Sequence, residues 1–326
     1  MGKTTIEWTD ASWNPIVGCT EISPGCANCY AARLAATRLK NTPQYKGLST
    51  IDNPPANIGP RWSGEVRFLP ERLDEPRHWP KPRKIFVCDM GDLFHEDVSE
   101  DFIDRVYAIM LACHRHTFQV LTKRPVRMRD YFCNLTAKRV CKHLRPGEGT
   151  LAWPIRNLWL GTSVENQHFA DERIPALLST PAAVRWISAE PLLGSVDVAK
   201  HLYMHRIDPK RYGTEDEMRG QIPFLDWVVC GGESGLNARP MHPHWAQSLR
   251  DQCQAAGVPF FFKQWGEYSP YGHGFVKSDE IVKGPHTAMF RLGKKKAGRL
   301  LDGREWNEFP KELTGGVHGK DADRSR

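Results

Sequence analysis

Six short runs of β-branched and aromatic residues punctuate the chain: KIFVCDM, TFQVLTK, NLWLGTS, VRWISAE, DWVVCGG and PFFFKQW. Each has the length of a buried strand, and each of the first five is followed by a stretch able to form a helix. Strands that alternate with helices pair in parallel through right-handed crossovers. With WNPIVGC as a first short strand the count is seven. The predicted fold class is therefore α/β: a parallel (β/α) barrel, partial, of six to seven strands.

Helix signals agree with this rhythm. Ser99 can cap a helix running to about Cys113, with Glu100 and Asp101 at its positive end and Phe102, Val106, Ile109, Met110 and Cys113 on one face. A second begins near Pro243, carries Trp245, Leu249 and Cys253 at four-residue spacing, and stops at Gly257. The barrel is expected over 1–265, with a three-cysteine loop at 17–30. A proline-rich surface excursion at 41–83 and a charged insertion at 200–223 interrupt it. A C-terminal hairpin extension is expected over 266–314, and a disordered tail over 315–326.

The chain has 326 residues, enough for one large α/β domain or two ordinary ones. No apolar run is long enough to span a membrane, and MGKTTIEWTD lacks the apolar core of a signal peptide. A cytoplasmic location with no membrane partner is expected, and there cysteines are more often metal ligands or core residues than disulfides. The nine cysteines are also an odd number. A formal charge of +7 leans toward anionic partners, nucleic acid among them, and Lys294, Lys295 and Lys296 form the densest basic run.

Cys19, Cys26 and Cys29 are spaced C-x6-C-x2-C. The two-residue gap lets two thiolates reach one metal, and Pro24 and Gly25 supply the bend that returns the third. Three thiolates at one point repel unless a cation holds them. A closed zinc staple needs a fourth ligand, and His78 and His95 lie far along the chain. A cubane on three cysteines leaves one iron open. A structural zinc and three core cysteines are the other readings. Cys88 and Cys230 lie inside apolar runs and read as core.

Polar residues gather where the strands end. Asp89, Gly91, Asp92 and His95 follow the second strand, Lys123 and Arg124 the third, Ser163 and Glu165 the fourth. Ser188 and Glu190 follow the fifth, Gly231, Gly232 and Glu233 the sixth, Lys263 and Gln264 the seventh. In a parallel barrel these ends share one face, where active sites form. Glu165, Glu190 and Glu233 would repel there unless Lys123, Arg124, Lys263 or a ligand offsets them.

The cysteine loop after a first strand resembles the radical S-adenosylmethionine superfamily, whose partial (β/α)6 barrel holds its cluster in such a loop. Here the first gap is six residues instead of three, and the aromatic, Tyr30, follows the last cysteine rather than preceding it. More closely, EWTDASWNPIVGCTEISPGCANCYA, GDLFHE, LTKRP, WLGTSVENQ, SAEPLLG, VVCGGESG and PFFFKQWGE resemble a phage and prophage family, that of gp thirty-seven and gp sixty-eight. The resemblance implies a 4Fe-4S cluster and S-adenosylmethionine, and a partner protein encoded beside the three-cysteine gene. By the same analogy Asp89, Gly91 and Asp92 take the amine of S-adenosylmethionine. Ser163, Glu165, Ser188 and Glu190 take its ribose and methionine groups, and the Gly231–Gly232–Glu233 turn lets backbone approach it. Lys123, Arg124 and Lys263 hold a substrate carboxylate or phosphate, or else form structural ion pairs inside the mouth, and Gln264 stands beside them as a catalytic or substrate residue. His95 is an acid–base group or a cap.

Overall fold

The computed structural model describes residues 4–51, 59–135, 137–148, 154–202, 223–271, 281–283 and 288–311. Its centre is a seven-stranded, all-parallel sheet: β1 (Ala11–Trp13), β2 (Lys84–Val87), β3 (Thr117–Thr122), β4 (Leu158–Ser163), β5 (Val184–Ala189), β6 (Trp227–Gly231) and β7 (Phe260–Gln264). Spatial order equals chain order. An order that never reverses keeps every crossover helix on one side, so the twisted sheet curls around its other face. The result is an open parallel (β/α) barrel, as the strand rhythm predicts.

Among the described residues, the α-helices of seven residues or more are α1 (Tyr30–Ala36), α2 (Glu100–Ala112), α3 (Pro125–Cys133), α4 (Gln167–Leu178) and α5 (Pro243–Ala256). The expected ends of α2 and α5 are observed. Ser99 accepts from the Phe102 amide, and Gly257 closes α5 in the left-handed conformation, φ 68°. Outward residues of the strands (Ile85, Val87, Phe118, Leu160, Ile187, Val228, Phe260) join helix residues such as Val106, Ile174 and Leu249 in the main core. Alternate residues point the other way. Phe86, Trp159, Trp186, Trp227, Val229 and Phe261 pack with Trp8 in a separate cluster on the barrel's inner face.

The first strand differs from expectation. It lies at Ala11–Trp13 and pairs with β2, whereas WNPIVGC was expected to form it. Pro15 has no N–H to continue the ladder. Ile16 and Val17 turn away instead, pairing antiparallel with Arg67 and Phe68. Segment 41–83 folds back on this turn, burying Leu48 and Leu69 with Val17, Ala31, Ala35 and Met90 in a third cluster.

After β7 the chain forms an antiparallel arrangement of β8 (Tyr268–Ser269), β9 (Ile281–Lys283) and β10 (Ala288–Arg291). A strap then runs along the free edge of β7. Asn307 bridges to Phe261, the Phe262 amide donates to Trp306 O at 2.9 Å, and Phe309 stacks on Trp227. Such cover removes an unpaired strand edge. Most of the 200–223 insertion and the 315–326 tail lie outside the described residues. Among those residues no helix is long and apolar enough to cross a membrane.

Candidate metal centre at the barrel mouth

The cysteine loop leaves the first strand through Gly18, whose φ is +94°. A Cβ there would lie 2.1 Å from the Glu65 carbonyl, so this turn requires glycine. Pro24–Cys26 form a single 3-10 turn, the Cys29 amide donates to Cys26 O at 3.1 Å, and α1 starts at the next residue. All three cysteines are half-buried.

The loop rests on alternate strand ends. After β2, His95 Nε2 meets Thr20 Oγ1 at 2.7 Å, and Asp89 O accepts from the Tyr30 hydroxyl at 2.8 Å. After β4, Glu165 accepts from Ser23 Oγ at 2.6 Å. After β6, Glu233 accepts from Asn28 Nδ2 at 2.9 Å, and Arg239 donates to Pro24 O at 2.9 Å. Gly25 leaves room for Glu165, since a Cβ on it would come within 2.5 Å of that side chain. His95 Nδ1 accepts from the Asp97 amide at 3.2 Å, so the ring proton sits on Nε2 and donates to Thr20. Burial, with Arg124 nearby, holds this histidine below its ordinary value and keeps it neutral. Its place in the structure is that of a loop anchor.

Four of the mouth carboxylates meet a cation. Glu165, with 0% exposure, meets Arg173 at 3.1 Å and Lys123 at 3.6 Å. Asp92 accepts from Thr122 Oγ1 at 2.7 Å and from Arg124 at 3.2 Å. Glu190 accepts from Lys263 at 2.9 and 3.0 Å. Glu233 accepts from the Arg239 side chain at 2.9 Å. The repulsion expected among the glutamates is thus offset inside the protein.

The two cations of LTKRP also address the sulfurs. Arg124 Nη1 lies 3.8 Å from Cys19 Sγ. Lys123 is held above the ordinary lysine value: burial opposes its charge, but Glu165, Cys26 and Cys29 outweigh it. For the thiols burial wins. Cys19 is pushed up to about 12, with Asp92 adding to burial and Arg124 opposing, and Cys29 rises for the same first reason. Of the two roles read from sequence for Lys123 and Arg124, a substrate anion or an ion pair within the mouth, the structure shows the ion pairs, to Glu165, Asp92 and Glu96, with Arg124 also on Cys19.

The strand-end glycines bring parts of the mouth into close approach. A Cβ on Gly232 would lie 2.0 Å from Trp265 O, and one on Gly91 3.0 Å from Gly18 O, so both serve backbone-to-backbone approach. Gly231 makes room for the Glu190 side chain, 3.1 Å from where its Cβ would be. Asp89 accepts from Asn14 Nδ2.

Some groups remain open. Ser163 and Ser188 stand opposite one another across β4 and β5, both buried, and their hydroxyls take no partner among the described residues. Gln264 donates to Gly232 O at 2.8 Å, yet its buried Oε1 is unpartnered, as is Arg124 Nη2. Sequence reasoning missed Ser23, Asn28, Arg173 and Arg239. Arg173 was findable, because an arginine between Ala170, Ile174 and Leu177 on an apolar helix face needs a buried anion. Arg239, in an irregular loop, carried no such signal.

Comparison with curated proteins gives no match. Among solved structures the chain is similar to three of spore photoproduct lyase. A tyrosine-to-phenylalanine mutant matches with a TM-score of 0.39 at 10% identity, covering 91% of this chain and 74% of that one. A cysteine-to-serine mutant gives 0.39 and 11%, covering 90% and 72%. The lyase complexed with dinucleoside spore photoproduct gives 0.38 and 10%, covering 91% and 74%. A family model described as protein of unknown function (DUF5131) matches residues 3–310, nearly the whole sequence, and the chain belongs to that family.

Proposed function

We propose that the chain is a cytoplasmic, iron–sulfur, S-adenosylmethionine-dependent radical enzyme whose 4Fe-4S cluster is held by Cys19, Cys26 and Cys29. The observation that carries the reading is the placement of a three-thiol loop over the C-terminal mouth of a parallel barrel, with Arg124 3.8 Å from Cys19 Sγ and Lys123 on Glu165 beneath the loop. The donor set fits by kind: three soft thiols, and cations able to balance a metal–thiolate group of net negative charge. Among the described residues no three ligand-type side chains yet converge to metal-binding distance. Metal entry therefore requires the three sulfurs to converge, and Cys19 and Cys29, held protonated by burial, to shed protons.

When bound, the cluster supplies the electron that cleaves S-adenosylmethionine. The protein's own residues do the rest. Ser163 and Ser188 offer hydroxyls, and Gln264 Oε1 is an acceptor already stripped of water and lacking a donor. A buried acceptor without a partner costs stability unless a ligand supplies the donor. Glu190 and Lys263 form an ion pair at the same mouth, 2.9 Å apart. Below them the aromatic cluster closes the barrel, which keeps water from the reacting groups. Zinc is disfavoured by the one histidine that touches the loop, since both ring nitrogens of His95 are already engaged. The sequence resemblance supports a phage or prophage origin and a partner protein encoded alongside.

The test is protein purified without oxygen. Several irons with matching acid-labile sulfide, and broad absorption near ~400 nm, are expected for a cluster. One zinc and no iron would end this reading.

A further inference from the structure

Beside the mouth stands a shoulder with a core of its own. It consists of α1, the turns through residues 37–50, and residues 61–69, packed around Val17, Ala31, Ala35, Leu48, Leu69 and Met90. Residues 22–68 contain six cations (Arg33, Arg38, Lys40, Lys46, Arg61, Arg67) against two acids, Asp52 and Glu65. Arg67 pairs with Glu65 at 2.6 Å, and Arg61 reaches Glu21 only at 4.0 Å. Arg33, Arg38, Lys40 and Lys46 take no side-chain partner among the described residues, and the last three are exposed. Elsewhere exposed cations are commonly matched, as in Arg105–Asp101, Lys142–Asp101 and Lys200–Asp171.

The same stretch carries four of the eight exposed large hydrophobic residues of the described structure: Ile22, Tyr30, Ile51 and Phe68. Two are aromatic and held in place. Tyr30, 45% exposed, is fixed by its hydroxyl on Asp89 O, and Phe68, 39% exposed, packs on Phe102 at 4.7 Å. An open groove of about 500 Å³ runs between Pro43 and Phe68 over Leu69, with Arg67 and Glu71 also lining it. The shoulder abuts the cysteine loop, because Glu65 O packs on Gly18 and Gly59 lies against Ala27 and Asn28.

We infer that this shoulder binds single-stranded nucleic acid and leads it to the mouth. Unmatched cations suit a phosphate backbone, and rigid exposed rings suit unstacked bases. A folded protein partner would be expected to meet balanced charge, whereas here cations outnumber acids and Arg38, Lys40 and Lys46 stand without one among the described residues. The Lys294–Lys296 turn singled out from sequence fits less well, as Lys294 already pairs with Glu7 at 3.2 Å. The surface is independent of the metal reading: it binds a strand with or without a cluster.

The test uses the full chain and labelled 20-nucleotide DNA and RNA single strands, with affinity followed by fluorescence anisotropy from low to high salt. In the triple variant Arg38→Gln, Lys40→Gln, Lys46→Gln the slope of log K against log salt should fall by about 2, and affinity by roughly tenfold or more. Phe68→Leu should weaken binding by about fivefold with the slope kept. The charge-matched triple Lys138→Gln, Lys295→Gln, Lys296→Gln should change neither. Equal losses in the two triples would reduce the effect to net charge and overturn the inference. Absence of binding, or binding to anionic phospholipid vesicles in place of either strand, would overturn it too. Preference between DNA and RNA then names the strand. Iron content, measured separately, decides the cluster whatever the strand assay shows.

Discussion

Along the inner face of the barrel the strands carry Trp159, Trp186 and Trp227 near their starts, but Gly161 and Ser163, Ser188 and Glu190, and Gly231 at or just beyond their ends. The floor is closed by contact. Trp186 lies 5.2 Å from both Trp8 and Trp227 by ring centroids, and Gly161 leaves space for its indole, 2.5 Å from where a Cβ would be. The mouth is closed by charge, with Asp92, Glu165, Glu190 and Glu233 each on a cation and the cysteine loop hung from the result. One end is apolar burial that needs only volume and shape; the other is a polar network in which each member depends on its partner. Stability and metal binding should therefore be separable by mutation.

The largest effect belongs to the mouth. Cys19→Ala, Cys26→Ala and Cys29→Ala should each bring iron per protein to background, since two thiolates do not hold a cubane. Cys113→Ala and Cys253→Ala, buried in the main core, should keep full iron and lose only packing. Iron analysis of the five proteins decides this. Equal losses in both sets would break the division between loop and core.

At the floor, Trp186→Ala should cost about 3–5 kcal/mol in urea unfolding while the folded fraction keeps its metal stoichiometry. Loss of metal at unchanged stability would mean that the floor reaches the site, and the comparison would fail.

Glu165→Gln tests where the two properties meet. It leaves Arg173, 2% exposed, without its anion, and weakens the acceptor under Ser23. A loss of about 3 kcal/mol or more is expected, together with poorer metal loading. Glu190→Gln changes a less buried carboxylate of the same mouth that hydrogen-bonds no residue of the cysteine loop among the described residues. It should load metal normally and cost less. If both variants load equally, Glu165 is a structural pair and no support of the loop.

Sequence reading reached the barrel because buried parallel strands are continuous apolar runs, and six of the seven lie where those runs predict. It located the first strand wrongly, since the apolar Ile16–Val17 looks like a strand interior while Pro15 has already ended the ladder. The strand-end carboxylates could be assigned to one mouth from topology alone. That Glu165 and Glu233 lie beneath the cysteine loop could not, because Ser23 and Asn28 are separated from them by 142 and 205 residues. Such contacts depend on side-chain packing, which leaves no periodic trace.

The smallest effect compares both regions with the outer wall, through pH. His116, 1% exposed, meets Pro76 O at 3.0 Å through Nε2, and its Nδ1 has no partner. The ring is therefore neutral with its proton on Nε2. Burial is the first cause that holds its pKa below the ordinary 6.5, with Arg115 and Arg83 adding to it and Pro76 opposing. A histidine harder to protonate when folded contributes nothing to pH dependence above 6.5, where both states are neutral. As pH falls below 6.5 the unfolded chain takes up the proton first, so stability is lost until the folded pKa is passed. His143 and His201 are lowered by burial in the same direction. His116→Gln keeps a donor for Pro76 O and removes the titration, so its melting temperature should drop less between pH 7.5 and 5.5 than that of the parent protein. Because the Trp79 and Phe118 rings that flank His116 belong to the outer core, this acid limb should be the same in a Cys19→Ala background. A limb that changed with the cysteine would tie the outer wall to the mouth, and the separation drawn between the two ends of the barrel would have to include a third, coupled region.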